Sequence, residues 1–276
     1  MSFPVSFPVN QPLVTVTHPE PALWIIELHN GADSRLTTTL ISNGLMPALD
    51  AVERDWRNGF RASLKSKDKT SAKGTLIIVG NTSQDKFFSN GLAFEQLSAD
   101  PPAFANFFPV VYNPMLRRLL SFPIPTIAAI NGHCFAGGMI LALACDYRVM
   151  TDGNKKAAWI CMNEVHFGAP LPLSFTAMIN AKIPDPRTRR KVALQGHRFS
   201  PVEALQTGIV DFTVAGGTQG VLSKAKELAA SVNELPKLGA YGLIRRELYR
   251  DVMEASARDV DRPSVAADDN AAKARL

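Results

Sequence analysis

The segment 126–145 constrains the fold more than any other. Thr126-Ile127-Ala128-Ala129-Ile130 is an unbroken apolar run of strand length, and residues 137–145 (GGMILALAC) form a short helix with no polar face. Elements without a polar side belong in an interior, so a buried strand and a buried helix are expected here, joined through the turn Asn131-Gly132. Burying both takes a sizeable chain. With 276 residues, roughly 75% of the unfolded surface is removed from water on folding, which needs no disulfide or metal staples.

The rest of the chain alternates in the same way. Residues 24–28 are a short apolar run before the turn Asn30-Gly31, and residues 74–80 (GTLIIVG) are a second buried strand bounded by glycines. Between them Leu36, Leu40, Ile41, Leu45, Leu49, Val52 and Trp56 recur in steps of three and four, which predicts an amphipathic helix despite Pro47. Residues 146–150 are a further strand. Ser200-Pro201-Val202-Glu203 has the cap, the first-turn proline and the reciprocal glutamate of a helix start. Helices are expected over 218–232 and 235–250, and residues from 251 onward are poor in large apolar side chains, as a solvated tail is. The class is α/β with a helical end. Three regions follow: a core over 1–215, a helical region over 216–258 and a flexible tail over 259–276.

Composition narrows the function classes. Hydrophobic residues make up 46% and charged residues 20%, with a net charge of +5, ordinary values that exclude extended disorder. No 18-residue apolar run exists, so no membrane span is expected. Cys134, Cys145 and Cys161 form no CxxC pair and sit in apolar stretches, as buried free thiols of a reducing compartment do. No His or Cys cluster has ligand spacing, so no metal is expected. The N-terminal MSFPVSFPVNQP lacks the charged start and apolar core of a secretory signal. Ala274-Arg275-Leu276 is a conservative variant of the Ser-Lys-Leu peroxisomal address, though a three-residue match also arises by chance.

Nucleophile elbows, phosphate loops and zinc-protease motifs are absent from the sequence. The basic cluster Arg187, Arg189, Arg190 and Lys191 reads as the solvated face of a helix ending near Gly196, with phosphate or nucleic-acid contact as the alternative. Two glycine turns hold more chemistry: residues 86–92 (KFFSNGL), and residues 131–138 (NGHCFAGG) before the buried helix. Each either presents a backbone N–H to a cleft or is plain loop punctuation. Two converging N–H donors would stabilise an enolate oxygen. Glu164 lies in a largely apolar stretch; partial burial would raise its pKa toward that of a general base, while the alternative is an exposed or capping glutamate.

These elements, collinear from about residue 24 to 214, resemble the crotonase (enoyl-CoA hydratase/isomerase) superfamily. The match is densest over PTIAAING (125–132) to Gly138 and ACDY (144–147), and continues through Asn163-Glu164, Gly168, Gly196, Glu203-Ala204-Leu205 and Gly208-Ile209-Val210-Asp211. The ILALACDY segment is similar to peroxisomal isomerases of plants and fungi. The resemblance implies a spiral of ββα units with a helical C-terminal region, assembled as a homotrimer or a hexamer. It implies that the Leu92 and Gly137 N–H groups hold the thioester oxygen of an acyl-CoA, with Asn90, Gly91, Gly138 and Ile140 around the substrate. By their place near the ligand-binding turns, Lys86 and Arg35 become candidates for contacts to coenzyme A, which is part of the substrate, so no separate cofactor is implied.

Hydratases of the superfamily have two glutamates; here the first position is Ile140 and the second is Glu164. One carboxylate suffices to shuttle a proton, so the resemblance implies 3-enoyl-CoA to trans-2-enoyl-CoA isomerisation, with hydration poor. Peroxisomal β-oxidation of unsaturated fatty acids, in the peroxisomal matrix after recognition by the import receptor, is the implied setting. Alternatives are hydration, a specialised acyl-CoA step in secondary metabolism, or a non-catalytic acyl-CoA- or RNA-binding relative. The sequence departs from the family pattern at Ala136, where many members have glycine, and at Leu92-Ala93-Phe94, where an aspartate is usual. His166 reads as a packing or loop residue, and Phe94, Phe104, Phe107 and Phe108 as acyl-tunnel lining or core.

Overall fold

The computed structural model describes residues 2–66, 69–258 and 264–275. Leu276 and residues 259–263 of the expected tail lie outside the described residues.

β4 (Thr75–Val79) and β6 (Thr126–Ile130) are buried at every position. Side chains on a strand alternate between faces. Leu76, Ile78, Ala128 and Ile130 therefore enter the main core, while Ile77, Val79, Ile127 and Ala129 enter a second cluster on the other face. The strands have no polar phase because both faces of the sheet are covered. This sheet has seven strands. β1 (Val5–Phe7), β2 (Val14–Glu20) and β3 (Leu23–Leu28) pair antiparallel; β4, β6, β8 (Tyr147–Thr151) and β10 (Phe212–Val214) continue from β3 in parallel. A smaller parallel sheet consists of β5 (Phe87–Ser89), β7 (His133–Phe135) and β9 (Ile160–Cys161).

Three successive units each run long strand, short strand, helix: β4–β5–α4 (Asn113–Leu120), β6–β7–α5 (Gly137–Ala144) and β8–β9–α6 (Leu173–Lys182). The short helices α2 (Phe94–Ser98) and α3 (Pro101–Asn106) interrupt the first. α5 is buried along its whole length, as its composition requires. α9 (Gly217–Val232) covers the second face of the large sheet with Val221, Ala225 and Ala229. At α8 (Pro201–Gln206) the expected capping box is complete: the Glu203 N–H donates to Ser200 Oγ at 3.3 Å, and Ser200 N–H to Glu203 Oε2 at 2.9 Å. On α7 (Pro186–Gln195) Arg187, Arg190 and Lys191 are exposed, and Arg189 Nε donates to the Ile183 carbonyl at 2.6 Å. Gly196 ends that helix at φ +55°.

Three sequence expectations are corrected. The helix expected from Leu36 begins later: Leu36 bridges to Leu92, and a π-helical turn, Leu40–Leu45, leads into α1 (Met46–Lys65) with Pro47 in its first turn. The helix expected over 235–250 is divided. Gly239 turns the chain at φ +77°, in a place where a Cβ would meet the Phe60 ring, and α10 (Tyr241–Leu248) and α11 (Arg250–Arg258) follow. The residues just past 251 are not solvated tail: Val252, Ala255 and Ser256 are buried where α11 packs on α4 and α6, and Asn113 Nδ2 donates to the Ser256 carbonyl at 3.1 Å. Small side chains there permit close helix approach rather than marking exposure. α12 (Val265–Arg275) has no buried residue. No helix among the described residues is long and apolar enough to cross a membrane.

Candidate active site

The site is built where the two glycine turns touch. Asn131 braces the loop between β4 and β5 from across the sheet: its Oδ1 accepts from the Gly80 N–H at 3.1 Å and its Nδ2 donates to the Asn81 carbonyl at 3.2 Å and to Thr218 Oγ1 at 3.0 Å. At Gly132 a Cβ would enter the Lys86 backbone, so the crossing demands glycine. At Gly91, φ +77°, a Cβ would lie 2.8 Å from the Ala136 Cβ and 3.2 Å from the Gly137 nitrogen. Bare backbone brings the turns together.

The segment 33–36 holds the first turn. Asn90 N–H donates to the Asp33 carbonyl at 2.9 Å, Leu36 N–H to the Gly91 carbonyl at 2.8 Å, and Gly91 N–H to Ser89 Oγ at 3.2 Å. Arg35 Nη1 donates to the Leu92 carbonyl at 2.9 Å, and Asp33 Oδ2 accepts from both Arg35 Nε and Asn90 Nδ2 at 2.9 Å. Among the described residues the Leu92 N–H has no acceptor.

In the second turn Ala136 N–H donates to the Cys161 carbonyl at 2.8 Å, and the Ala136 carbonyl accepts from Met139 N–H at 2.9 Å and Ile140 N–H at 3.3 Å. A trans peptide points its C=O and N–H in opposite directions. With the Ala136 carbonyl turned into α5, the Gly137 N–H points away from the helix, and it too has no acceptor among the described residues. The helix start adds positive dipole character there. Ala136 sits at φ +52°, ψ −126°, a conformation glycine adopts freely and alanine only under strain. Leu92 and Gly137 are neighbours: a Cβ on Gly137 would lie 2.8 Å from Leu92 Cδ2.

A cavity of about 840 Å³ opens beside these turns, lined by Leu92, Asn90, Arg35, Ala136 and Glu164, with Phe94, Phe104, Phe108, Phe167 and Phe175 on its apolar walls. Glu164 begins a 3-10 turn, Glu164–Phe167, that Gly168 closes at φ +70° and that the Ala169 N–H bonds back to the Glu164 carbonyl at 3.1 Å. The residue is 8% exposed, and Oε2 has no hydrogen-bond partner among the described residues. Burial pushes the carboxyl up to about 7. Among the described residues no group of His, Cys, Asp or Glu side chains is arranged to hold a metal ion.

Of the expected site residues, Leu92, Asn90, Arg35 and Glu164 line the cavity, and Gly91 and Gly137 shape the turn contact. Gly138 packs on Ser89, where a Cβ would come within 2.8 Å. Two expected residues lie off the lining. Ile140 is fully buried in the core and is not among the residues lining the cavity, because α5 is enclosed on all sides. Lys86 is exposed outside it, with Nζ 5.5 Å above the Phe87 ring. His166 packs against Gly196, whose carbonyl lies 3.3 Å from Nε2. Phe107 belongs to the core and not to the lining.

Sequence reasoning did not single out Glu95, an exposed carboxylate on the lining, or Phe167 and Phe175. Nor did it single out Tyr112, which is fully buried beneath Gly137 and donates its hydroxyl to the Gly137 carbonyl at 2.6 Å. The aromatic crowding of residues 104–112 was the available signal.

Residues 46–262 match the enoyl-CoA hydratase/isomerase family. The chain is 36% identical over 194 residues to enoyl-CoA delta isomerase 3 of Arabidopsis thaliana, covering 68% of this chain and 79% of that relative. It is 30% identical over 231 residues to the peroxisomal enoyl-CoA delta isomerase 1 of the same plant, covering 84% and 88%. Among solved structures, an enoyl-CoA hydratase from Mycobacterium marinum superposes with a TM-score of 0.70 at 25% identity, covering 90% of this chain and 96% of that one. Human mitochondrial delta3-delta2-enoyl-CoA isomerase superposes with a TM-score of 0.67 at 23% identity, covering 89% and 91%. The expected crotonase fold is present, and the chain belongs to the enoyl-CoA hydratase/isomerase family.

Proposed function

We propose that the protein isomerises 3-enoyl-CoA thioesters to trans-2-enoyl-CoA through a single-glutamate proton shuttle. The α-proton of a 3-enoyl thioester is acidified by both the carbonyl and the alkene. Ionised Glu164 takes that proton, the electron pair spreads over a dienolate, and the Leu92 and Gly137 N–H groups hold the charge on the thioester oxygen. The same carboxyl returns the proton to the γ-carbon, so no atom is gained or lost. The observation that carries this reading is Glu164 itself: a buried carboxyl on the wall of the cavity, with one oxygen unpartnered and an affinity for protons set near neutrality by burial. A base that must both take and return a proton works best when its pKa lies near the working pH.

Glu95 on the same cavity favours a second reading, water addition across a 2-enoyl thioester by two carboxylates. A paired assay separates the two. With 3-hexenoyl-CoA and 2-hexenoyl-CoA supplied separately, the isomerase produces conjugated enoyl absorbance from the first and leaves the second intact. Loss of absorbance from the second, abolished by Glu95→Gln, would replace isomerisation with hydration.

The setting we propose is oxidation of unsaturated fatty acids in the peroxisomal matrix. The exposure of α12, which includes Ala274 and Arg275, is consistent with recognition of the C-terminal tripeptide by an import receptor. A fluorescent fusion ending in the native tail should enter peroxisomes, and deletion of the last three residues should leave it in the cytosol. Assembly as a trimer or hexamer fits the apolar outer face of α10.

A further inference from the structure

We propose that Tyr112 is a positioning residue that fixes the Gly137 donor, an inference that rests on the functional reading above. Tyr112 ends a π-helical turn, Phe107–Tyr112, and α4 begins immediately after it with Pro114 in its first turn. A proline cannot donate to the carbonyl four residues before it, and the wider π turn relieves that crowding. The same pairing of π turn and proline precedes α1 at Pro47. Here the register delivers one phenol beneath the Gly137 turn.

The phenol does two things there. Its ring is wedged between Phe107, Phe108 and Phe175, with centroids 6.1, 5.9 and 5.1 Å away. Two of these rings, Phe108 and Phe175, face the cavity. Its hydroxyl donates to the Gly137 carbonyl at 2.6 Å, and its Cε2 would lie 3.5 Å from a Cβ placed on Gly137. Burial holds the hydroxyl well above the ordinary phenol range, with the Glu164 charge adding to the shift, so it stays a donor throughout the working pH.

The peptide between Ala136 and Gly137 has its carbonyl tied into α5 and its N–H left open. Residue 136 is strained and anchored on one side by its bond to the Cys161 carbonyl. Residue 137 has no side chain to anchor it on the other. Tyr112 supplies that second anchor through the Gly137 carbonyl. Without it the first turn of α5 loses the side-chain bond that holds Gly137, and the donor shifts off the position of the developing oxyanion. An oxyanion donor acts through preorganisation, so its loss of direction lowers turnover more than ground-state binding.

The test compares the intact wild-type chain with Tyr112→Phe, which keeps the ring and removes the hydroxyl. It also uses 3-fluorotyrosine at position 112, a stronger donor of nearly the same volume. Two quantities are read: kcat and KM for 3-hexenoyl-CoA, and the red shift of 2,4-hexadienoyl-CoA absorbance on binding, which reports carbonyl polarisation. Tyr112→Phe should lower kcat about tenfold, on the order of one lost donor interaction, while KM stays within about twofold and the red shift shrinks. The fluorinated chain should keep the full shift and turnover. Wild-type kcat and red shift in Tyr112→Phe would overturn the assignment. Should Tyr112→Phe fail to fold, 4-aminophenylalanine at position 112, a weaker donor of nearly the same shape, decides: wild-type turnover and red shift there would overturn the assignment. If the wild-type protein itself neither polarises hexadienoyl-CoA nor converts 3-hexenoyl-CoA, the functional reading fails first and this assignment falls with it.

Discussion

Glu164 is a carboxyl whose surroundings work against its charge. Burial raises it from 4.5 to about 7, and the sign of that shift fixes two pH dependences. Turnover requires the ionised form, so kcat/KM should rise with pH through a midpoint near 7, and Glu164→Gln should abolish it while leaving acyl-CoA binding nearly intact. Full turnover in the glutamine variant would remove Glu164 from the chemistry. Stability runs the opposite way. Between pH 4.5 and about 7 the unfolded chain ionises this group and the folded chain does not, so folding loses on the order of 3 kcal/mol as pH rises across that window. Glu164→Gln should therefore melt higher than wild type at pH 8 and no higher at pH 4; equal melting temperatures at pH 8 would show that the cavity does not desolvate the carboxyl. Ala136 makes a related prediction. At φ +52° its Cβ costs about 1–3 kcal/mol, so Ala136→Gly should stabilise the protein, net of the extra freedom glycine brings to the unfolded chain. A fall in melting temperature would mean that the contact of the methyl group with the Gly91 turn outweighs the strain.

At the scale of elements, the two ends of the C-terminal region behave differently. α11 is anchored by Val252, Ala255 and Ser256, whereas α12 buries nothing. Deleting residues 265–275 should leave the melting temperature unchanged, and deleting from residue 250 should lower it sharply. A loss of stability in the shorter deletion would show that α12 docks on the core. The sequence treated both stretches as tail or near-tail because pattern reading equates burial with large apolar side chains; Ala255 and Ser256 are buried for being small. The same limit explains the rest. β4, β6 and α5 were legible because elements enclosed on all sides have no polar phase to blur them, and α8 because its cap is a local reciprocal bond. β7 and β9 contain three residues and two, too few for any period, and they exist only by pairing with each other and with β5. Glu164 and the two turns were legible as residue types in order along the chain. Tyr112 and the exclusion of Ile140 from the cavity were not, since both depend on which side of a helix meets which turn.

For the whole molecule, α10 is inverted relative to an ordinary surface helix. Its inward side holds Gly242, which lies against the Ser121 carbonyl, and Arg245, whose Nε is 2.8 Å from Asp146 Oδ1 in a nearly dry pair. Its outward side holds Leu243, Ile244 and Leu248, exposed by 59%, 64% and 68%. Leu238, just before it, is 85% exposed. A single chain gains nothing from leaving that many large apolar side chains in water, which makes this helix face the candidate surface for a protein contact. The proposed occupant is another copy of the chain, in an interface that repeats around a closed ring. The expected result is that wild-type protein sediments as a trimer or hexamer and that Ile244→Glu with Leu248→Glu sediments as a monomer. The proposed donors and base, Leu92, Gly137 and Glu164, meet within one chain, so the monomeric variant should still turn over 3-hexenoyl-CoA. A wild-type protein that is monomeric at all concentrations would leave the patch for a different partner, and a charged variant that stays trimeric would move the interface elsewhere on the molecule.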